Sequence, residues 1–390
     1  TAPAGAATAI RLARAGLSVL AIDRARFPRE KICSEFMSPE TVRQLALLGV
    51  LPRIGSEAVA LEGATITGPR GSGVVGLFRE RTPAGWPAAG LSLPRRVLDH
   101  ALVEEAFRAG AIVREGASLV ELRRTGRAIT GALIRLDGRL LEVAARIVVG
   151  ADGLHSAVAR SLGGRRREPL RRYAFVAHVA DVERMGRTAE IHVAADGYVG
   201  LNAIGGGITN VAVVTSATAA RSAGGDAEAF WLRSLDRLPG VRGRVRRDRM
   251  VRRVMATGPF AAWSRRVVAD GALLIGDAAD FFDPFTGEGI CSALRGAELA
   301  APVIEGALAR ERNPTAADLA PYRAGRRRAF AGRWAVERMI GYAMLWPGLF
   351  DRAVDRLDRR GMGHTLIGVT GDFLPASAVL NPSFLLGMVV

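Results

Sequence analysis

Residues 273–290 combine an acidic side chain, closely spaced glycines and a helix-like segment that together could bind an electron-accepting ring. The apolar run at 273–275 predicts a buried strand, and it ends in Gly276-Asp277. A Pro- and Gly-rich turn then leads into a predicted helix of small residues over 291–301. An Asp at a strand end can bind a ribose or polyol hydroxyl, glycines admit a planar ligand, and a helix N-terminus stabilises an anionic reduced ring. The segment therefore suits flavin chemistry.

The N-terminal segment has part of a dinucleotide-binding βαβ unit. Ala2, Ala4 and Gly5 precede a predicted helix over 6–15, and a predicted strand at 17–22 ends at Asp23. In such a unit the helix N-terminus holds a pyrophosphate, and the acid at the end of the second strand binds ribose hydroxyls. Because the first strand and first glycine of the unit are missing, we expect the natural chain to begin upstream.

A second Gly/Asp turn follows the predicted strand at 147–149, where the sequence reads Gly-Ala-Asp-Gly and contains Asp152. The preceding Asp137-Gly138 pair predicts a β-hairpin. We therefore expect strand-turn units from distant parts of the chain to bind one extended ligand.

Taken in order, these motifs and the Arg95 segment resemble the FAD-dependent oxidoreductases with the para-hydroxybenzoate hydroxylase fold. That family includes aromatic hydroxylases, flavin-dependent halogenases and geranylgeranyl reductases, and the resemblance spans about residues 1–300. It implies an FAD-binding site formed by Ala2, Ala4, Gly5, Asp23, Arg24, Arg95, Asp152, Gly276, Asp277, Gly287, Glu288, Gly289 and Ile290. Within this set, the resemblance implies that Arg95 lies near the phosphates, Asp152 has a structural role and Asp277 binds the ribityl chain.

The segment from Lys31 to Glu35 is similar to the Lys-x-Cys-Gly-Glu segment of geranylgeranyl reductases and some halogenases, with Ser34 in place of the glycine. Lys31 is the single lysine of a chain that otherwise uses arginine for its cationic side chains. A compact ammonium in this motif indicates a specific role. We predict Lys31, Cys33 and Glu35 as catalytic residues.

The pattern of apolar residues predicts an α/β fold with an added sheet. A Rossmann-like FAD-binding domain would comprise residues 1–59, 93–165 and 266–322, and an antiparallel β-sheet substrate domain would comprise residues 60–92 and 166–265. Residues 323–390 would form a C-terminal helical region. The predicted sheet walls a pocket, and its candidate substrate contacts are Tyr198, His178, His192 and Asn202.

Composition and charge indicate which ligands and partners to expect. The chain has 390 residues and a formal charge of +16, with two cysteines that lack zinc-site spacing, and we expect no bound metal. The arginines are dispersed and no stacking aromatics accompany them, so nucleic acid is not the expected partner. An acidic carrier protein or an anionic membrane surface is the better match for this charge. We expect a cytoplasmic protein, with peripheral membrane contact through its C-terminal part as an alternative.

We predict an FAD-dependent oxidoreductase, driven by NAD(P)H or a partner reductase, that acts on a small hydrophobic substrate. Geranylgeranyl reductases often carry Tyr-x-Trp-x-Phe-Pro, where this chain reads Tyr-Val-Gly-Leu-Asn-Ala at 198–203. The loss of these aromatics favours a monooxygenase over a geranylgeranyl-reductase-like C=C reductase. A redox carrier that binds FAD without turnover is the alternative of another class.

Overall fold

The computed structural model describes residues 3–78 and 89–389. Ala2, predicted to contact the cofactor, and residues 79–88 of the predicted substrate domain lie outside these ranges.

The described strands are short and distributed along the chain. They are β1 Leu20–Asp23, β2 Phe36–Met37, β3 Val59–Leu61, β4 Gly63–Thr67, β5 Gly73–Leu77, β6 Gly90–Ser92, β7 Ile112–Glu115, β8 Ser118–Thr125, β9 Ala128–Leu136, β10 Arg139–Ala144, β11 Val148–Gly150, β12 Arg165–Arg167, β13 Arg172–Ala180, β14 Thr188–Ala194, β15 Gly197–Ala203, β16 Ile208–Ser216, β17 Met250–Thr257, β18 Ala262–Ser264, β19 Val268–Ala269, β20 Ala272–Leu274 and β21 Asp280–Phe281.

The described helices include long segments at both ends of the chain. They are α1 Pro3–Arg14, α2 Pro39–Leu47, α3 Leu51–Ile54, α4 Arg95–Arg108, α5 Ala157–Ser161, α6 Ala217–Arg221, α7 Ala227–Asp236, α8 Gly289–Leu308, α9 Ala320–Ala343, α10 Pro347–Arg359, α11 Gly363–Thr370 and α12 Pro382–Val389.

Parallel strand pairs and closely packed helices form the α/β part of the molecule. β1 pairs with β7 and β11 pairs with β20, both in parallel. α1 packs on α8, and both helices bury small side chains along the contact, including Ala6, Ala7 and Ala297. Because alanine side chains are short, the two helices approach closely. Their N-termini lie at the same cavity.

A large sheet with the order β17-β13-β16-β15-β14-β4-β5 faces this α/β part. Its strands come from both segments of the predicted substrate domain. Alternate residues of each strand face opposite sides of a sheet. One face packs against the C-terminal helices, and the other is covered by α7 with the fully buried Trp231. The pair β14–β4 is parallel, so the sheet is mixed rather than purely antiparallel as predicted.

Two hairpin turns have the backbone conformations that their residue types favour. Asp137 and Gly138 both have positive φ between β9 and β10, as a tight hairpin turn requires. Gly205, Gly206 and Gly207 also have positive φ and connect β15 to β16. This run of three glycines therefore forms a hairpin turn.

The C-terminal helices close the molecule over the large sheet. α11 packs on β5, where the position of a Cβ on Gly76 would lie 2.1 Å from Ile367 Cγ1, so only glycine allows this approach. The predicted α/β architecture with an added sheet and C-terminal helices is confirmed. Within residues 3–78 and 89–389, none of the helices has the length and apolar character needed to cross a membrane.

Candidate functional site

A cavity of ≈ 220 Å³ lies where the α/β part, the large sheet and the C-terminal helices meet. The N-terminal residues of α1 and α8 line one end of it. The inner face of the large sheet forms its floor, and residues of α9 and α11, including Ile340 and Ile367, form the opposite wall. The cavity thus joins elements that are far apart in sequence.

Glycines bring backbone to the helix end of the cavity. Gly276 has φ 57° and Gly287 has φ 71°, conformations in which a side chain is strained. A Cβ on Gly287 would also lie 2.7 Å from Phe36 Cδ1. Gly289 begins α8 and Pro3 begins α1, so two helix N-termini direct partial positive charge toward the cavity. This end can accept an anionic ligand.

Lys31 and Asp277 supply opposite charges to the same cavity. In the described part of the chain neither the Lys31 ammonium nor the Asp277 carboxylate has a hydrogen bond or ion pair. Burial lowers the pKa of Lys31, and nearby Arg95 lowers it further. Burial raises the pKa of Asp277 although Lys31 and Arg95 oppose the shift. Both groups are therefore available to a polar ligand.

Arg95 adds a fixed positive charge at the cavity wall. Its guanidinium binds both carboxylate oxygens of Asp99 at 2.9 and 2.8 Å, and Arg29 lies 2.9 Å from the same carboxylate. Burial by itself lowers the pKa of Arg95, but Asp99 and the Cys33 sulfur raise it more, so the net shift is upward. Two arginines that share one aspartate leave an excess of positive charge for an anion.

The segment from Lys31 to Glu35 is held from both sides. Glu35, fully buried with φ 60°, accepts a hydrogen bond from the Arg95 backbone N–H at 2.8 Å, and its Oε2 lies 2.8 Å from His178 Nε2. On the other side, Asn210 Nδ2 donates to the Cys33 carbonyl at 2.8 Å and Asn202 Nδ2 donates to the Ser34 carbonyl at 3.2 Å. These bonds fix Lys31 and Cys33 at the cavity.

A second polar cluster anchors the turn before α8 to the sheet. Tyr198 Oη donates to Asp283 Oδ1 at 2.9 Å, and Arg172 lies 2.6 Å from the other carboxylate oxygen. The Tyr198 ring also meets Phe285 edge-on at 5.1 Å. Burial raises the pKa of Tyr198 well above its ordinary value, and the Asp283 charge adds to the shift. Tyr198 therefore stays a neutral hydrogen-bond donor.

Comparison with known proteins identifies the family. A family model described as an FAD binding domain matches residues 1–329. The chain belongs to this FAD-binding family. A digeranylgeranylglycerophospholipid reductase of Methanosarcina acetivorans is 31% identical over 311 residues, covering 76% of this chain and 72% of that protein. A menaquinone reductase of Mycolicibacterium smegmatis is 28% identical over 316 residues, covering 77% of this chain and 74% of that protein.

A solved structure agrees with this assignment at the level of the fold. The flavoprotein/dehydrogenase from Cytophaga hutchinsonii has a TM-score of 0.84 and 18% identity, with 100% of this chain and 95% of that chain covered. Together with the family match, these relatives confirm the prediction of an FAD-dependent oxidoreductase.

The cavity fits FAD by the chemistry of its donors. The N-termini of α1 and α8 and the Arg95 guanidinium suit the pyrophosphate and an anionic ring, and the unpaired Asp277 carboxylate suits a ribityl hydroxyl. Pro3, Ala4, Gly287, Gly289 and Ile290 line the cavity without filling it. These residues would hold the cofactor, which supplies hydride or electron transfer when it is bound.

Several predicted cofactor residues lie outside the cavity wall. Asp152 accepts hydrogen bonds from the Ala157 and Val158 backbone N–H groups and from Ser156, so its carboxylate binds the start of α5. Gly5 lies within α1, Asp23 ends β1, and the Arg24 side chain is exposed.

The Glu288 prediction differs from the structure. Its buried carboxylate contacts Arg333 of α9 rather than the cavity, while its neighbours Gly287 and Gly289 line the cavity. Burial raises the pKa of Glu288 well above its ordinary value although Arg333 opposes the shift. We therefore interpret Glu288 as a link between the start of α8 and α9.

The predicted catalytic and substrate residues divide by whether they line the cavity. Lys31, Cys33, Tyr198 and Asn202 line it. Glu35, at the end of the 31–35 segment, and His178, its partner on the sheet, are buried against each other and do not line it.

The prediction of His192 as a substrate contact does not agree with its position. His192 points to the α7 side of the sheet, where its Nε2 lies 2.9 Å from Glu190 Oε2, and Arg244 binds the same carboxylate. A Cβ on Gly240 would lie 2.7 Å from His192 Nδ1, so the ring packs against that backbone. The parity of β14 explains the difference, because Ile191 and Val193 occupy its inner face.

Sequence reasoning missed Asn210, Asp283 and the apolar wall from the C-terminal helices. Asp283 belongs to the turn that first indicated a cofactor site, and its position before Pro284 was the available signal. Asn210 pairs directly with Asn202 in the β15–β16 register, so a hairpin turn placed at the three glycines 205–207 could have identified it. The sequence carries no comparable signal for Ile340, Leu366 or Ile367.

Proposed function

We propose that the protein is an FAD-dependent reductase of carbon–carbon double bonds in an isoprenoid lipid. The observation that carries this proposal is the apolar part of the cavity. From the polar end at Lys31 and Asp277, the lining continues between the large sheet and the C-terminal helices with Ile66, Phe78 and Ile367. An extended hydrocarbon chain suits such a lining.

The relatives support the same substrate class. The names of the two reductases describe lipids that carry isoprenoid chains, a glycerophospholipid in one case and a quinone in the other. Both relatives are 28–31% identical over about three quarters of the chain. This similarity favours reduction of an isoprenoid lipid but does not specify which one.

Reduction of a double bond adds a hydride to one carbon and a proton to the other, so the protein must place a proton donor at the cavity. Lys31 Nζ and Cys33 Sγ belong to cavity-lining residues of the same short segment. Burial lowers the pKa of Lys31, which makes its ammonium a better acid. The apolar lining excludes water from the reacting carbons. We propose NAD(P)H, or a partner reductase, as the source of electrons.

Oxygenation, the first prediction from the sequence, remains the second candidate. The observation in its favour is that Gly200 and Asn202 line the cavity where aromatic side chains occur in the reductase motif. A wider cavity at this point admits substrates other than a polyprenyl chain. The redox-carrier alternative differs from both because it predicts no change in any lipid.

Product analysis distinguishes these functions. FAD-loaded protein is reduced anaerobically with NADPH or dithionite and mixed with menaquinone or digeranylgeranylglycerophospholipid, and a parallel sample receives oxygen. A reductase yields, in the anaerobic sample, lipid whose isoprenoid chain has gained two hydrogens for each double bond reduced. A monooxygenase yields lipid with one added oxygen atom only in the aerated sample. Unchanged lipid in every sample, with the flavin reoxidised only in the aerated one, would contradict the proposal and favour a carrier.

A further inference from the structure

Gly200 occupies the middle of the cavity floor without a structural need for glycine. It lies within β15 between Tyr198 and Asn202, and all three line the cavity. The closest atom to a Cβ at this position would be Glu190 O at 3.9 Å, an ordinary van der Waals distance, and the backbone does not have the positive φ that favours glycine. Glycine inside a strand weakens it and often marks a close approach by a ligand. The fold would therefore tolerate a side chain at this position, and the absence of one leaves more space in the cavity.

The residue beside Gly200 is also small. The register pairs Gly200 with Ala212 of β16 on one side and with Ile191 of β14 on the other, and Ala212 pairs with Val176 of β13. These residues line the same cavity. Gly200 and Ala212 thus form a recess, bounded across the strands by Ile191 and Val176.

The recess is broad and flat rather than channel-shaped. Strands are spaced about 4.8 Å apart, so the distance across the strands from Ile191 to Val176 is roughly 14 Å. Along β15, the bounding residues Tyr198 and Asn202 are roughly 13 Å apart at about 3.3 Å per residue. A recess two strands wide matches a flat ring system better than a single hydrocarbon chain.

Polar groups at both ends place the recess beside the cofactor-binding segments. At one end Tyr198 bonds Asp283 in the turn before α8. At the other end Asn202 and Asn210 bond the Ser34 and Cys33 carbonyls. The Oδ1 atoms of these two asparagines are buried and have no hydrogen-bond partner in the described residues. They are unsatisfied acceptors at the edge of an apolar floor.

We infer that the recess formed by Gly200 and Ala212 receives a flat, hydroxyl-bearing ring of the substrate. The ring would lie on the two small residues, and a hydroxyl would donate to the Asn202 or Asn210 amide oxygen. This inference rests on the proposed function for the identity of the remainder of the substrate, an isoprenoid chain in the apolar part of the cavity. It predicts that menaquinone in its dihydroxy form is a better substrate than the ring-free phospholipid.

The test compares binding of two ring probes to three FAD-loaded proteins. The probes are 1-naphthol and 1-methylnaphthalene, which have similar size but differ in the hydroxyl. The proteins are wild type, Gly200→Val and Gly73→Val. Gly73 is a matched control because it lies in β5 of the same sheet, has no atom within 4 Å of a Cβ position and does not line the cavity. FAD content and melting temperature are measured for each, and probe affinity is measured by calorimetry.

We expect wild type and Gly73→Val to bind 1-naphthol equally, and Gly200→Val to bind it at least about tenfold more weakly with full FAD content, because the valine fills the recess. We expect 1-methylnaphthalene to bind wild type more weakly than 1-naphthol. Loss of FAD from Gly200→Val alone would assign the recess to the cofactor and overturn the inference.

Equal naphthol binding by wild type and Gly200→Val, no naphthol binding by wild type, or equal binding of both probes would also overturn it. If the probes behave as expected but wild type reduces neither lipid, the proposed function fails while the ring site stands. If wild type reduces a lipid and Gly200→Val binds 1-naphthol like Gly73→Val, the ring site fails while the proposed function stands.

Discussion

At the scale of single residues, the candidate site depends on charged groups that the protein itself leaves unpaired. Lys31 and Asp277 line one cavity, and neither has a hydrogen bond or ion pair within the described ranges. Burying an unpaired polar group costs free energy that a bound ligand can offset. Both side chains are thus better explained by a ligand than by the fold.

Lys31→Met should weaken FAD binding by about tenfold at neutral pH, because a charge-assisted contact to an anionic cofactor is lost. Since burial lowers the pKa of Lys31 in the free protein, the wild-type affinity should fall as the pH rises through that lowered pKa and the ammonium loses its proton. The affinity of Lys31→Met should lack this alkaline decline. FAD titrations from neutral to alkaline pH measure both effects.

The control for Lys31 is Arg127→Met, which removes an exposed cation in the turn between β8 and β9 that does not line the cavity. Arg127→Met should keep the wild-type affinity and its pH profile. If Lys31→Met also binds FAD like the wild type, Lys31 does not contact the cofactor.

Asp277→Ala should weaken FAD binding by on the order of 1 to 3 kcal/mol, since a ribityl hydroxyl would lose its acceptor in a buried site. Equilibrium dialysis gives the dissociation constant directly. Asp236→Ala, which removes an exposed carboxylate at the end of α7, provides the control. Wild-type flavin affinity in Asp277→Ala would show that this carboxylate is not a cofactor ligand.

At the scale of elements, a buried ionic cluster joins the start of α8 to the C-terminal helices. Arg333 of α9 contacts Glu288 before α8, lies 3.1 Å from Glu337 and lies 3.1 Å from Asp372 after α11. Cys291 donates its thiol hydrogen to Asp372 at 3.0 Å. One arginine cannot neutralise three carboxylates, and burial raises the pKa of both Glu288 and Glu337. The cluster holds the helical wall of the cavity against α8.

Glu337→Gln should reduce the pH dependence of stability between pH 4.5 and pH 7. Burial raises the pKa of Glu337 to about 7 from its ordinary 4.5, although Arg333 opposes the shift. Over this range the unfolded chain ionises first while the folded protein keeps its proton, so the wild type loses stability as the pH rises. The full loss is about 3 kcal/mol by linkage, and it levels off above the folded pKa.

Chemical denaturation at a series of pH values measures this effect. Glu311→Gln, an exposed glutamate outside the cluster, should follow the wild-type profile. Parallel profiles for Glu337→Gln and wild type would mean that Glu337 titrates normally in the folded protein.

At the scale of the whole molecule, charge and exposed apolar residues predict contact with an anionic membrane surface. The chain carries a formal charge of +16. Leu345, Trp346 and Leu349 are exposed where α9 meets α10, and Trp346 is 59% exposed. α10 buries Phe350, Val354 and Leu357 on its other face. A basic protein with exposed apolar side chains suits an anionic lipid surface.

We expect the FAD-loaded protein to bind vesicles of phosphatidylglycerol in preference to phosphatidylcholine, with affinity that falls as salt increases. Trp346→Ala should weaken this binding. Phe107→Ala, which removes an exposed aromatic from α4, should not. Vesicle sedimentation gives the bound fraction, and equal binding to both lipids or no effect of Trp346→Ala would contradict membrane contact at this surface.

The sequence by itself determined the features that depend on near neighbours in the chain. Gly276-Asp277, the following helix α8 and the Asp137-Gly138 hairpin were predicted because turn chemistry and hydrophobic periodicity are short-range properties. The resemblance of these motifs also indicated FAD, and the family match confirms it. Lys31 and Cys33 both line the cavity because the 31–35 segment positions them, and their catalytic role stays a prediction.

Only the tertiary structure decided which side chains meet. His192 faces α7 because the register of β14 places Ile191 on the inner face, and Glu288 turns away because Arg333 comes from α9, 45 residues along the chain. Asn210 joins the site through pairing with Asn202, and Ile340 and Ile367 enter it from the C-terminal helices. These positions depend on strand parity and long-range packing, which local patterns do not encode.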